Sequence, residues 1–483
     1  MFKFWKNDLM SSIVVFLVAL PLCLGIALAS NAPLSAGLFA GIIGGIIVGA
    51  LSDSHVSVSG PAAGLTVIVL NGIISLGSFE TFALAVFLAG CLQLIFGLMR
   101  AGSIGNYFPT AVIRGMLAAI GLILIIKQFP NALGLSKGWT FESFFSSIHM
   151  GIFLISILSL SIILFWEKMS YRGLLFFKLV PGALVAVTSS ILLNLIFTTS
   201  FPGLALGYDS LVQLPFNGGF SEIFQMIHLP NFGLIFQPDV FQVALTIAIV
   251  GSIETLLSLD AAEKIDPEKR PSSKDRELIS QGLGNALSGL VGGLPITAVI
   301  VRTSANISAG SKTKLSAIIH GVWLLASVAL IPGVLNLIPL SCLACVLLLT
   351  GYKLCKPAHF LDMRNRGWDQ LIVFSSTILA ILATDLLKGI FAGIVIALAL
   401  EIKKIKKTPF KISEENNQSI VEFSQNVTFI HKAKILKVFQ NAKLGETVLM
   451  KNMNGVKVHV DVLDLVMDKK QELEKKNIRV IIT

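Results

Sequence analysis

Two ionisable side chains, Arg302 and Glu254, stand inside apolar stretches of this chain. A charge at membrane depth is expensive unless it faces a partner, a water-filled cavity or a substrate. Arg302 follows Gly292, Gly293 and Pro295, which interrupt any helix arriving from the N-terminal side. A new helix can begin just after Pro295, because proline is tolerated in a first turn, and this places Arg302 about two turns in. The unsatisfied N–H groups of such a start attract an anion. Broken backbone plus a lone cation inside a membrane reads as an anion site. Glu254 lies six residues before Asp260, about 9 Å of helix rise, deep enough in its span to be buried. It is the candidate for ion coupling; a structural pair between Arg302 and Glu254 is the alternative use of the two charges. Thr297, Thr303 and Asn306 are expected to make helix-packing hydrogen bonds.

The elements that must position these residues are membrane spans. The 483 residues are 54% hydrophobic and only 14% charged, against about a quarter charged in a soluble domain. Mean hydropathy is +0.80. The net charge of +10 is therefore not read as nucleic-acid binding. Basic residues instead flank the spans, at Lys3 and Lys6 and at Lys403, Lys404, Lys406 and Lys407, which is the positive-inside pattern. Five cysteines lie in or beside apolar segments, and Cys342 and Cys345 are read as small packing residues. The seven histidines show no metal-ligand spacing.

Residues 1–10 suggest an interfacial helix, followed by a span over 12–30 that Pro21 should kink or thin. In the span over 34–51, Gly37, Gly41, Gly45 and Gly49 fall every fourth residue and invite a close neighbour. Residues 55–59 alternate as a short strand does, and Gly60-Pro61 opens a half-length helix to 76. Pro61 and Pro295 share this grammar at an offset of 234, which also brings Pro21 to within one residue of Glu254. Each of the two Gly/Leu-Pro steps should end a short strand, the two strands lying side by side. Later spans include one over 335–349, and 201–237 is read as an outside connector without lysine or arginine. In all, about fourteen membrane segments form a polytopic α-helical protein with two half-helices. Seven is odd, so two halves of seven have opposite topology and make an inverted repeat, about 1–200 and 238–407. An even count puts both termini on one side, the cytoplasm by the lysine rule. After residue 407 the composition turns soluble. Strands near 419–423, 446–450, 456–458 and 478–482, with helices over 432–441 and 460–477, suggest a small cytoplasmic α/β domain over 408–483.

These segments resemble the SulP family of inorganic anion transporters, the sulfate permeases and bicarbonate carriers. The resemblance covers about residues 8–407. It rests on residues 19–30, on Ser57 to Gly64, on Glu277 to Asn285, on 385–394, and most on Gly292 to Thr313. It implies a seven-plus-seven inverted repeat like that of the uracil permeases, a core and a gate domain, and often a homodimer in the bacterial inner membrane. It also implies secondary transport of a small oxyanion, sulfate or bicarbonate, by alternating access and coupled to protons or sodium. The alternative is an anion channel or an uncoupled exchanger. No cofactor is implied, and no nucleophile–base pair, metal set or nucleotide motif suggests an enzyme.

By the resemblance, the anion lies between the starts of the third and tenth spans. Ala62 and Ala63 offer backbone N–H groups on one side, and Val299, Val301 and Arg302 line the other. Leu22 and Ile26 occupy first-span positions where sulfate-preferring members often carry a glutamine and an aromatic. Glu254 and Ser258 match the positions that bind the coupling ion in coupled members. Sodium-using bicarbonate carriers tend to have aspartate at the first of these and no arginine where Arg302 stands. The tail is similar to a short, divergent STAS domain, with His459-Val460 where many such domains have Asp-Ser.

Overall fold

The apolar runs fold as helices, the form in which a chain without water can satisfy its own backbone. The computed structural model describes residues 4–102, 109–135, 148–172, 176–177, 180–214, 226–384, 386–402, 410–415, 418–424, 427–442, 446–451, 453, 456, 458–474 and 478–482. Lys3, Asp385 and the lysines at 403–407 lie outside the described residues. The helices are α1 (Trp5–Ala29), α2 (Leu34–Leu51), α3 (Ala63–Leu76), α4 (Phe79–Leu98), α5 (Thr110–Leu133), α6 (Met150–Tyr171) and α7 (Gly182–Ser200). They continue with α8 (Pro238–Ile265), α9 (Lys274–Leu290), α10 (Ile300–Ser308), α11 (Leu315–Leu330), α12 (Leu340–Leu354), the polar α13 (Pro357–Arg366), α14 (Trp368–Ala383) and α15 (Leu386–Ile402). Without α13 these are two sets of seven. At nine residues, α10 covers less than half of the roughly 20 that a crossing needs.

The first helix departs from expectation. α1 runs unbroken from Trp5 through Pro21 to Ala29, so there is no separate interfacial helix in its described part. The reason is Asp8, fully buried, whose carboxylate accepts hydrogen bonds from Lys312 N, Thr313 N and Thr313 Oγ1. That pins the helix start into the protein. The glycine stripe of α2 behaves as read: a Cβ at Gly37 would overlap the Cys23 carbonyl, and one at Gly45 would stand 2.7 Å from Gly321 Cα. α12 starts five residues later than expected. Residues ahead of it are engaged by the connector, through Val212 N to Ile338 O and Leu214 N to Asn336 Oδ1.

β1 (Ser59–Pro61) and β2 (Ile296–Ala298) pair antiparallel, with Gly60 opposite Thr297. The side-by-side arrangement is as expected, but the placement is not. Residues 52–57 are held in local turns by Ser54 N to Ser52 Oγ and Ser57 N to Ser54 Oγ, so the strand starts at Ser59. Pro61 is the last residue of β1, as expected, whereas Pro295 precedes β2 rather than ending it. α10 therefore begins at Ile300, and Arg302 is its third residue, not two turns in. The two N-caps, Ala62 and Val299, stand 237 positions apart, as do Gly60 and Thr297. The repeat offset is thus 237, not 234, and Pro21 corresponds to Ser258 rather than to Glu254.

The chain divides into two compact units, residues 1–102 with 120–354, and 103–119 with 355–483. The division does not follow the composition change at 407, because the second unit combines α13–α15 with the C-terminal sheet. That sheet is ordered β3 (Phe410–Glu415), β4 (Gln418–Phe423), β5 (Thr447–Lys451), β6 (Arg479–Ile482). The first pair is antiparallel and the other two are parallel. α16 (Lys432–Asn441) and α17 (Val460–Glu474) bury Ile435, Phe439, Val462 and Val466 against Val421, Val448 and Val480. β3 was not foreseen, and the expected strand at 456–458 is only a bridge between Val427 and Val458. α17 is anchored within its unit: Asp461 accepts from Thr110 N, Asp464 pairs with Arg366, and His459 Nε2 meets Gln370 Nε2 at 2.9 Å.

Candidate functional site

The site is built where β1 and β2 cross, because each strand leads straight into a half-helix. β2 has β1 on one edge and side chains on the other. Asn285 accepts from Ile296 N and donates to Ile296 O, and Thr255 Oγ1 accepts from Ala298 N. Asn285 is itself held by Gln93, whose amide donates to Ser252. Thr303 and Asn306 of α10 tie the approach to β1 by accepting from Val58 N and donating to Val56 O. They have the packing role expected of them. Rigid strands thus fix the helix starts.

Arg302 is fully buried and is the largest side chain in that state. A helical side chain leans toward its own N-terminus, and Arg302 reaches back across β1. Nη2 lies 3.4 Å from both Pro61 O and Cys23 Sγ. Nη1 lies over Gly60, where any Cβ would collide with it. Among the described residues Nε and Nη1 have no hydrogen-bond partner. Among the described residues no carboxylate pairs with it, so the alternative ion pair with Glu254 is not formed. A buried guanidinium without a counter-charge is costly. Its place in the first turn of α10 adds to this, since the helix dipole favours anions there. Both terms are relieved by an anion.

Glu254 is engaged elsewhere. Its carboxylate lies against Gly64, whose N–H hydrogen-bonds it and where a Cβ would overlap both oxygens. Oε2 has no partner. Ser258, one turn further along α8, is also buried. Ala62 is the buried N-cap of the α3 segment and Ala63 its first residue. Val299 caps α10, whereas the Val301 side chain is 50% exposed and lies outside the buried junction. Leu22 and Ile26 are buried on α1, flanking Cys23 in sequence. Sequence reading missed Cys23 as a contact of Arg302, and Gln93, Thr255 and Asn285 as braces of β2. The signal for α9 was present: Glu277, Gln281 and Asn285 recur every four residues on one face.

The sequence profile of the sulfate permease family matches residues 5–377. YvdB of Bacillus subtilis, named provisionally as a sulfate transporter, is 30% identical over 422 residues, covering 83% of this chain and 74% of its own. The bicarbonate transporter BicA of Picosynechococcus is 26% identical over 448 residues, covering 88% of this chain and 74% of its own. The solved transmembrane domain of a cyanobacterial BicA superposes with a TM-score of 0.68 at 25% identity, over 82% of this chain and 98% of that domain. Its seven-plus-seven arrangement is the one described above. This multi-pass membrane protein, a transporter by kinship and not an enzyme, belongs to the sulfate permease family.

Proposed function

We propose that the protein carries a small inorganic oxyanion, sulfate or bicarbonate, across the bacterial inner membrane by alternating access. The anion binds between the starts of α3 and α10. Arg302 supplies the fixed charge, backbone N–H groups at Ala62 and Ala63 supply donors, and Val299 and Val301 line the opposite side. Leu22 and Ile26 keep the pocket wall apolar. Glu254, with Ser258, couples the cycle to a proton or a sodium ion. The protein works as a homodimer with both termini in the cytoplasm. One observation carries the reading: a fully buried guanidinium with two unpaired nitrogens stands at a half-helix start that faces a second one.

The test is uptake of radiolabelled sulfate and of bicarbonate into proteoliposomes, with pH and sodium gradients imposed separately. Saturable accumulation driven by one of the gradients is expected. An ohmic anion current, or strict exchange indifferent to both gradients, would replace coupled transport with the channel or exchanger alternative.

A further inference from the structure

α9 carries another buried carboxylate that the proposed cycle does not use. Glu277 is fully buried, as is Gln281 one turn on. Ser52 Oγ donates to Glu277 Oε2, and Gln281 Nε2 donates to Glu277 Oε1 at 3.0 Å. The same amide nitrogen donates to Ser59 Oγ at 2.8 Å. Ser59 is the first residue of β1, and the next residue is the Gly60 that lies beneath Arg302. A chain of four side chains therefore runs from the loop after α2 to the strand at the anion site.

Two features leave this chain electrically unfinished. Among the described residues Glu277 has no cation partner, only the neutral donors Ser52 and Gln281. The nearby charges are committed elsewhere. Arg276 pairs with Asp53, Lys274 with Asp260, Asp275 accepts from Gly102 N, and Lys314 donates to Ala50 O and Ser52 O. His55 and Arg100 are exposed. The second feature is Gln281 Oε1, which is buried and has no partner among the described residues.

We propose that Glu277 is a proton-binding site of the transport cycle, read at β1 through Gln281 and Ser59. This rests on the reading that the protein transports an anion past Arg302, but not on coupling through Glu254. With Glu277 ionised, both of its oxygens accept, and the Gln281 amide must present its nitrogen. A proton delivered from water to Oε1 forms one O–H bond, which must then donate. Half a turn of the Gln281 amide presents Oε1 to that O–H and to the Ser59 hydroxyl. Ser59 changes from acceptor to donor, the amide oxygen acquires two partners, and Nε2 gives up the two acceptors it had. The proton is thereby registered one residue from the Arg302 junction.

The experiment measures initial sulfate and bicarbonate uptake in proteoliposomes at pH 6 and pH 8. Wild-type protein is compared with Glu277→Gln, which keeps the shape but cannot titrate, and with Ser59→Ala, which keeps Glu277 but cuts the last link. Calorimetric anion binding by the purified proteins is measured at the same two pH values. The ratio of rates at the two pH values is expected to change by at least about threefold in both variants, with binding retained. A uniform fall in rate at both pH values, or an unchanged ratio, in either variant overturns the proposal and leaves Glu277 a brace. A wild type that neither binds nor carries either anion overturns the transport reading itself.

Discussion

The starts of the two half-helices share their geometry and differ in charge. Each follows a three-residue strand, each has an extended N-cap, and the caps are related by the same 237-residue offset as the strands. At the first start the equivalent pair is Gly64-Leu65; at the second it is Val301-Arg302. Gly64 leaves room for the Glu254 carboxylate, so the first helix start has an anion supplied by the protein. The second start holds a cation and has no protein acid beside it among the described residues. Helix N-termini favour negative charge, so one start has an acidic partner within the protein and the other does not. In the proposed cycle this broken symmetry makes one start of the duplicated frame the binding end and the other the coupling end.

The largest break in this comparison is to remove the cation. Arg302→Ala should weaken anion binding by the roughly 2–5 kcal/mol typical of losing one partner of a buried charge pair, at least about 30-fold in Kd. The protein should still insert and fold, because β2 is held by Asn285 and Thr255 rather than by the guanidinium. Calorimetric titration of the purified variant checks it, and wild-type affinity would remove Arg302 from the site. Arg302→Lys should recover only part of the loss, since an ammonium lacks the planar fork of donors.

Neutralising the other start should leave affinity and remove coupling. Glu254→Gln keeps the side-chain volume against Gly64 and permanently imitates the protonated carboxyl. Anion binding and exchange should persist while gradient-driven accumulation is lost. If sodium is the coupling ion, sodium stimulation disappears instead, because an amide is a poorer ligand for a hard cation. Accumulation at the wild-type level under both gradients would show that the internal anion at Gly64 is only structural.

Much of this frame was legible in the sequence, because hydropathy and proline-glycine breaks report directly on where helices can and cannot run. Pro61 and Pro295, with the glycines beside them, sufficed for two paired strands and two half-helices. Arg302 stood out because charge in an apolar stretch is rare. The three-residue errors around Pro295 came from treating proline as a helix start. Here it precedes a strand, a choice made by Asn285 and Thr255 on other helices, which no local pattern encodes. Cys23 escaped notice for the same reason: its contact with Arg302 lies 279 positions away along the chain. The second unit was the least legible, since α14 and α15 share it with the sheet across a sharp change in composition.

The two half-helices also differ at their far ends, and this gives the smallest expected effect. α3 stops on Gly77 in a left-handed conformation, with open space around it. The segment after α10 is instead clamped. Asp8 grips Lys312 and Thr313, and Arg270 donates to Lys312 O while its guanidinium is held by both oxygens of Asp266. Burial works against the Asp266 charge, but Arg270 and the N–H groups of Glu268 and Arg270 outweigh it and hold the carboxyl below its ordinary value. A depressed native pKa means that the unfolded chain binds the proton more readily. The clamp's contribution is therefore full above the unfolded carboxylate value of about 3.9 and is lost as pH falls through the native one. Asp266→Asn should lower stability by about 1 kcal/mol at neutral pH, read as a small drop in Tm of the detergent-purified protein. The difference from wild type should shrink as the pH is lowered below about 4. A gap that stays constant down to acid pH would mean that the lost stability does not come from the Asp266 charge, and that its ion pair with Arg270 contributes nothing to the clamped end.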